Sequence, residues 1–414
     1  MTLRTYLIFV IGLMAVDAVV LSTLYSAGMG DDFSGAFFIV KGLIDAIFLL
    51  MNWRRITPTR FETGLILFIV VHALAGLIVL PMISNSYLPS RAANDVVWPI
   101  LFLAKIVVFR NLISGGGLPE RTLKMVIRWA IFLAVAQVVI FIVLSRVSGA
   151  YAGITPPVNL PLAYGLAFSQ PWMLLASIGA ILLSGKRAFV VGALVAVSAR
   201  ALVQRKNRGP FLIAAAFAFA FLAVAIGGAS AGILPEGIDE KLKQMAGILE
   251  PIQIAMKEGP SALFDDTVRH ELYLATAGRS EEIFGITSNM SWYNVLIGLG
   301  AGFTYSYMHW GGWVDGYANS HFSPLAVTYK FGTVYAILLY AYISKGVISL
   351  IRSNDVMARF VAFGIILFLV QSLFAFNLFV EMLFPFLIAL RQVAEKTIDP
   401  VMRGRGNGGS DVRA

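Results

Sequence analysis

Apolar runs alternate with short polar links along most of this chain. About 20 apolar residues in a helix cross the ~30 Å hydrocarbon core of a bilayer, so each run predicts a transmembrane helix. The runs are 4–27, 34–52, 62–84, 95–114, 125–145, 161–183, 188–203, 210–234, 323–345, 357–377 and 379–395. The pattern therefore predicts an all-α polytopic membrane protein with about 11–12 transmembrane helices.

The alternation stops between Pro235 and Phe322, where charged residues, glycines and aromatics mix. Within this stretch, apolar residues at helical spacing over 242–252 predict a short amphipathic helix. The chain is expected to divide into a helix bundle (1–234), a large loop with short helices (235–322), further transmembrane helices (323–396) and a disordered cytoplasmic tail (397–414). The loop thus precedes the last three helices.

Composition agrees with a membrane protein. The chain is 58% hydrophobic and 13% charged, against about 25% charged residues in ordinary soluble domains. Its 32 basic and 23 acidic residues give a net charge of +9. We assign this excess to cytoplasmic loops, which favour Lys and Arg, and not to nucleic-acid binding.

The basic clusters do not give one consistent topology. Counting from a cytoplasmic C-terminus places the cluster at 205–208 inside, and both Lys186-Arg187 and the large loop outside. Counting from a cytoplasmic N-terminus instead places Lys186-Arg187 inside and the cluster at 205–208 outside. Either 155–183 crosses twice, through helices broken around Pro171, or the weakly apolar stretch 292–307 is a twelfth crossing. We prefer the backward count, which makes the loop extracytoplasmic.

Charged residues within the apolar runs need partners. Lys41 and Asp45 are one helical turn apart, which predicts an ion pair within the second span. The chain has no cysteine and only four scattered histidines. Disulfides and cysteine-ligated metal sites are therefore excluded, and no metal site is predicted.

Three arginines are candidates for binding an anion, because the guanidinium fork suits phosphate oxygens. Arg187 ends an apolar run, where an interfacial anchor is the alternative. Arg279 precedes Ser280-Glu281-Glu282, which is typical of a helix start. Arg269 is the weaker candidate, since nearby glutamates offer it ordinary ion pairs.

Other residues of the loop could support the same site. Gly298, Gly300 and Gly302 do not lie between a predicted strand and helix, as the glycines of a dinucleotide-binding loop do. They favour close approach of the backbone to a neighbouring element, although their amides could still bind an anion. His321 stands just before Ser323-Pro324, a predicted helix start, and is the candidate for a catalytic base or a phosphate partner. The remaining candidates for support are Lys186, Tyr273 and Asn319. Aromatics such as Tyr305, Tyr307, Trp310, Trp313 and Tyr317 fit an interfacial belt better than sugar stacking.

Taken in order, these motifs resemble the O-antigen polymerase and O-antigen ligase superfamily over about residues 160–345. The matching pieces are Leu182–Phe189 (LLSGKRAF), the arginine-bearing loop through 278–283 (GRSEEI), the glycines 298–302, and His321 with the later pair Phe331-Gly332. The family often has Asn directly after the histidine, whereas this chain has Phe322 there and Asn319 just before. Gly185-Lys186 also separates its usual Ser-Arg pair.

The resemblance implies a metal-independent, inverting glycosyltransferase of GT-C-like architecture that needs no cofactor. It implies a multi-pass protein of the bacterial inner membrane with its active site facing the periplasm or exterior. Donor and acceptor would be undecaprenyl-pyrophosphate-linked glycans within the membrane lipid, polymerised into O-antigen, capsule or exopolysaccharide. A chain-length regulator and a flippase would be partners. Arg187, Arg279 and Arg269 would lie on the pyrophosphate, and His321 would be the catalytic base or a further donor to the pyrophosphate.

Three alternatives stay open. The first is an O-antigen ligase that transfers glycan to a lipid A core. The second is a flippase for lipid-linked oligosaccharides, which would also carry buried charges such as Asp17, Lys41, Asp45 and Lys105, but usually shows an internal repeat that is not found here. The third is a structural membrane subunit without chemistry.

Overall fold

The computed structural model of the chain is predominantly α-helical, as predicted. It describes residues 1–21, 23–24, 30–84, 86–116, 120–148, 155–184, 186–203, 253–254, 256–257, 259, 265–276, 278–309, 312–317, 320, 322–374 and 378–406. The predicted span 210–234, the predicted amphipathic helix at 242–252 and residues 407–414 of the tail lie outside these ranges.

The helices follow the apolar runs. In chain order they are α1 (Leu3–Ala15), α2 (Gly30–Met51), α3 (Arg60–Leu74), α4 (Leu80–Ile83), α5 (Pro89–Gly116), α6 (Glu120–Ser148), α7 (Asn159–Phe168), α8 (Pro171–Leu183), α9 (Arg187–Val203), α10 (Asp266–Thr276), α11 (Arg279–Thr287), α12 (Trp292–Ile297), α13 (Ser323–Ser344), α14 (Val347–Arg352), α15 (Val356–Ser372) and α16 (Phe384–Gly406). Two π-helical segments, Val16–Leu21 and Ala75–Val79, continue α1 and α3.

Within the described ranges, five helical stretches are long and apolar enough to cross a membrane. They are Leu3–Val20, Arg60–Val79, Pro89–Gly116, Glu120–Leu144 and Ser323–Arg352. Three shorter apolar helices, Pro171–Leu183, Ala188–Val203 and Val356–Ser372, pack among them. This composition is that of a helical membrane protein.

The predicted span 161–183 is broken in two, at the place where Pro171 predicted an interruption. Ser169 ends α7 in the left-handed region (φ 56°), and Pro171 then starts α8. The helices fold back on each other so closely that a Cβ on Gly165 would lie 2.9 Å from Leu174 Cδ2. Residues 159–183 therefore form a helical hairpin.

This hairpin bears on the topology conflict. Its turn contacts the far end of α9, where Arg200 Nη2 donates to Ser169 Oγ (2.7 Å). Its two outer ends lie near Asp17: Asn159 lines one cavity with Asp17, and the charge of Lys186 interacts with that of Asp17. The chain thus enters the bundle and turns back between 155 and 186. Its two helices have 10 and 13 residues, fewer than the ~20 that cross a bilayer, so the double crossing of the first topological alternative stays a prediction.

The second alternative, a crossing at 292–307, is wrong. This stretch holds the short helix α12 and the strand β1 (Tyr305–His309), which pairs antiparallel with β2 (Gly312–Tyr317). The sequence pattern did not predict this hairpin. Because of it, the fold is not purely α-helical. The tail prediction also needs correction, because α16 continues to Gly406; apolar residues at Ile398, Val401 and Met402 keep the helical spacing.

Buried ion pairs join the helices. Asp45 accepts hydrogen bonds from Lys105 (2.5 Å) and from the Tyr6 hydroxyl (2.7 Å), and all three residues are fully buried. The predicted Lys41–Asp45 pair is therefore wrong. Asp45 is turned into the core, where a buried carboxylate needs a buried cation, while Lys41 lies 5.6 Å from the ring centre of Phe38.

A second buried ion pair joins the helices at the end of the bundle where Arg54 and Arg55 lie. Glu62 Oε1 accepts from Arg110 Nη1 and from the Tyr342 hydroxyl, both at 2.5 Å. Its other oxygen accepts from the Thr59 amide (2.8 Å) in a capping box that starts α3. Arg110 Nη1 also donates to Gln392 (3.2 Å). The Glu62 carboxylate thus connects α3, α5 and α13, and Arg110 extends this network to α16.

We predict that Glu62→Ala destabilises the protein by about 3–5 kcal/mol, because it leaves Arg110 buried without its counter-charge. Thermal unfolding of the purified protein in detergent would measure the loss. Glu120→Ala is the matched control, since Glu120 pairs with Lys124 at the exposed surface and such pairs contribute little. Equal melting temperatures for the two variants would contradict the assignment.

Candidate functional site

A cavity of about 130 Å³, lined mostly by apolar residues, lies among the helices at the end opposite to the Glu62–Arg110 pair. Three charged residues line it: Asp17 from the π-helical segment after α1, Lys41 from α2, and Glu381 from the link before α16. The charges of Lys41 and Glu381 both interact with that of Asp17. Charged groups this close together inside an apolar bundle are typical of a functional site.

Local backbone features bring these groups to the cavity. Asp17 lies in a π-helical segment, a deviation often found at functional sites. Across from it, Asn159 and Gln371 exchange two amide hydrogen bonds, 2.7 and 2.5 Å long. Both amides are buried and join α7 to α15 in the cavity wall.

Lys186 and Arg279, distant in sequence, lie near each other beside this cavity. Desolvation lowers the pKa of Lys186, repulsion by Arg279 lowers it further, and attraction by Asp17 opposes both effects. Desolvation likewise lowers the pKa of Arg279, against the attraction of Glu282. Two partly desolvated cations held together favour an anion between them.

Arg187 is the first residue of α9, and its side chain lies outside the described part of the structure. The N-terminus of α9 nevertheless follows directly on Lys186. The positive end of that helix dipole is thus on the same side as Arg279. Asn319 and His321 also lie outside the described residues. Their neighbour Ser320 is buried, and α13 starts at Ser323 with Pro324 in its first turn, as predicted.

Arg269 is engaged elsewhere. Its Nε and Nη2 donate to the two carboxylate oxygens of Glu281 at 2.7 and 2.6 Å, and its guanidinium lies 5.0 Å from the ring centre of Phe284. This bidentate pair joins α10 to α11, so the ordinary ion-pair alternative describes Arg269 best. Tyr273, also on α10, is buried and interacts electrostatically with Tyr307.

The glycine cluster is a close-packed turn. The amides of Gly298, Gly300 and Gly302 donate to Asn294 O (2.8 Å), Lys330 O (3.1 Å) and Asp95 Oδ2 (3.0 Å). All three glycines have positive φ, between 84° and 102°. Close backbone approach, the preferred interpretation, agrees with this geometry, whereas these amides give no support to anion binding.

The aromatic residues of the hairpin form a small core with a buried carboxylate beside it. Tyr305 and Tyr307 are buried, and the ring centres of Tyr307 and Tyr317 are 5.1 Å apart. Desolvation and the buried Glu282 raise the pKa of Tyr307, and they raise that of Tyr317 to about 12. For these tyrosines the predicted interfacial belt is wrong, because cross-strand pairing turns them inward.

No protein-family model, curated protein or solved structure matches the chain. The site is therefore defined by its own geometry. The sequence pattern assigned Asp17 only to a transporter alternative, and Lys41 to that alternative and to an ion pair with Asp45. Glu381 was missed; the available signal was an acidic residue inside the predicted apolar run 379–395.

We predict that Gly298→Ala destabilises the protein strongly. A Cβ there would lie 2.6 Å from the carbonyl oxygen of Lys330, on a backbone with φ of 84°. Gly64→Ala is the control, because a Cβ on Gly64 meets nothing within 4 Å and alanine favours helices. Melting temperatures of the two variants would be compared; an unchanged value for Gly298→Ala would contradict the packing role.

We also predict that Lys186 titrates below an ordinary lysine, whose pKa is about 10.4. Amine labelling at a series of pH values, read by mass spectrometry, would give its midpoint. Arg279→Gln should raise that midpoint, because removing a like charge favours the protonated amine. Arg352→Gln, an exposed change on α14, should not alter it. An ordinary lysine midpoint for Lys186 in the wild type, unchanged by Arg279→Gln, would refute the proximity.

Proposed function

We propose that this chain is a membrane glycosyltransferase that polymerises glycan repeat units carried on undecaprenyl pyrophosphate. The observation that carries the proposal is that Lys186 interacts electrostatically with both Arg279 and Asp17, next to a cavity that Asp17, Lys41 and Glu381 line. Such a site offers cations for a lipid pyrophosphate and carboxylates for a sugar hydroxyl, both within reach of the membrane.

The pyrophosphate is the leaving group. When the bond between the anomeric carbon and the pyrophosphate oxygen breaks, negative charge grows on that oxygen and must be stabilised. Lys186, Arg279 and the N-terminus of α9 would provide this stabilisation, with Arg187 added by the family resemblance. Binding the anion also relieves the repulsion between Lys186 and Arg279. Arg269 has no part in this scheme, because Glu281 holds it.

The acceptor hydroxyl forms the new bond to the anomeric carbon and gives up its proton. Asp17 and Glu381 are bases placed in the cavity, and His321 is the base that the resemblance implies. A base on the side of the sugar opposite to the pyrophosphate would give inversion.

The distribution of basic residues supports an orientation. Arg54, Arg55, Arg121, Lys124 and Arg128 are exposed near the bundle end opposite to the cavity. Basic residues favour the cytoplasmic side of membrane proteins. We therefore infer that the cavity faces the exterior of the bacterial inner membrane, where a chain-length regulator and a flippase would be the partners of a polymerase.

A flippase is the second candidate, and one observation favours it. The α7–α8 hairpin is a pair of broken helices beside a charged cavity, an arrangement common in transporters. A ligase acting on a lipid A core would use the same pyrophosphate site as the polymerase.

Purified protein in proteoliposomes with lipid-linked repeat units would test these functions. We expect chain growth; transfer only onto added lipid A core would indicate the ligase, and movement without new glycosidic bonds would indicate the flippase. Lys186→Gln and Arg279→Gln should each lower kcat about 100-fold, as removal of one charge-stabilising donor does. Arg352→Gln should retain activity.

The base is identified by three further variants in the same assay: Asp17→Asn, Glu381→Gln and His321→Ala. The variant that abolishes turnover while still binding the lipid-linked donor marks the base. Full polymerisation by His321→Ala would remove His321 from the mechanism. Full activity of both Lys186→Gln and Arg279→Gln would overturn the proposed pyrophosphate site.

A further inference from the structure

A basic groove lies between α6 and α8, at the end of the bundle remote from the Asp17 cavity. Two adjoining cavities share Lys124 and Arg128. The larger, about 390 Å³, is also lined by Arg121 and Trp129. The smaller, about 230 Å³, reaches Tyr164 and Trp172 across the groove.

The groove has a net positive charge. Arg121, Lys124 and Arg128 are all exposed and follow one another at helical spacing on α6. Glu120 pairs with Lys124 at 2.7 Å, which leaves a net charge of about two cations. The N-terminal end of α8 opens onto the smaller cavity, because Gln170, Trp172 and Met173 line it, and its helix dipole adds to the positive field.

The position of these cations along α6, next to an exposed apolar surface, indicates what kind of ligand the groove binds. The helix continues with an exposed apolar stripe at Phe132, Val135, Val139 and Val143, on the same face as Lys124 and Arg128. This stripe is a surface for lipid acyl chains. The segment from Arg121 to Arg128 is about 10 Å long at 1.5 Å per residue and directly precedes the apolar stripe. Its cations therefore lie beside the end of the lipid acyl chains, where the headgroups begin.

Two exposed tryptophans flank the groove at the same level. Trp129 is 46% exposed on α6, and Trp172 is 51% exposed in the first turn of α8. Tryptophan is enriched at membrane interfaces, where its ring contacts both chains and headgroups. Cations, interfacial indoles and an apolar stripe thus coincide on one lipid-facing surface.

We propose that this groove binds an anionic phospholipid, with its phosphate between Lys124 and Arg128 and its acyl chains along Phe132 and Val135. The site is separate from the proposed glycosyl-transfer site, which lies at the other end of the bundle. Basic pockets between transmembrane helices bind anionic headgroups in this way.

Native mass spectrometry of the detergent-purified chain, titrated with phosphatidylglycerol or phosphatidylcholine, would test the proposal. Wild-type protein should retain phosphatidylglycerol preferentially. Lys124→Gln with Arg128→Gln should weaken that binding about 30-fold, as expected for two cations near a headgroup. Arg128→Lys should keep most of the affinity, because the charge is retained. Circular dichroism would verify that each variant is folded.

The matched control is Arg60→Gln with Lys345→Gln, which removes two exposed cations from the same end of the bundle. Its phosphatidylglycerol affinity should change less than threefold. An equal loss in the control, or none in the groove variant, would overturn the site. Displacement of the lipid by millimolar inorganic phosphate would show a soluble-anion site instead and would overturn the lipid assignment.

Discussion

The ion pair between Asp95 and Lys330 holds the loop region on the helix bundle. One carboxylate oxygen of Asp95 pairs with Lys330 on α13, and the other accepts the amide of Gly302. Both side chains are almost fully buried, so neither charge can separate from the other at low cost. The glycine turn is held against α5 and α13, and α11 and the β-hairpin lie next to it. The position of Arg279 relative to the bundle depends on this attachment.

Two other buried carboxylates of the bundle each pair with a buried cation. Asp45 is satisfied by Lys105 and Tyr6, and Glu62 by Arg110 and Tyr342. These contacts join helices that are distant in sequence. The cavity around Asp17 differs, because its charges border open volume. The cavity therefore sets these charged groups apart by their position beside open space.

The two ends of the molecule present cations in different settings. Lys186 and Arg279 are partly desolvated and repel each other beside a cavity. Lys124 and Arg128 are exposed at the edge of an apolar stripe. The first setting suits a buried pyrophosphate whose charge changes during a reaction. The second suits a lipid headgroup at the surface, whose binding depends both on the charge of the side chains and on their depth in the membrane.

The sequence by itself determined the membrane class, most helix positions, the break at Pro171 and the helix start at Ser323. These follow from local patterns: apolar length and the fixed φ of proline. Only the tertiary structure decided that Asp45 pairs with Lys105, that Arg269 is held by Glu281, and that Asp17, Lys41 and Glu381 share a cavity. Side-chain partners inside a membrane are chosen by which helices pack together, and a single sequence does not encode that choice locally.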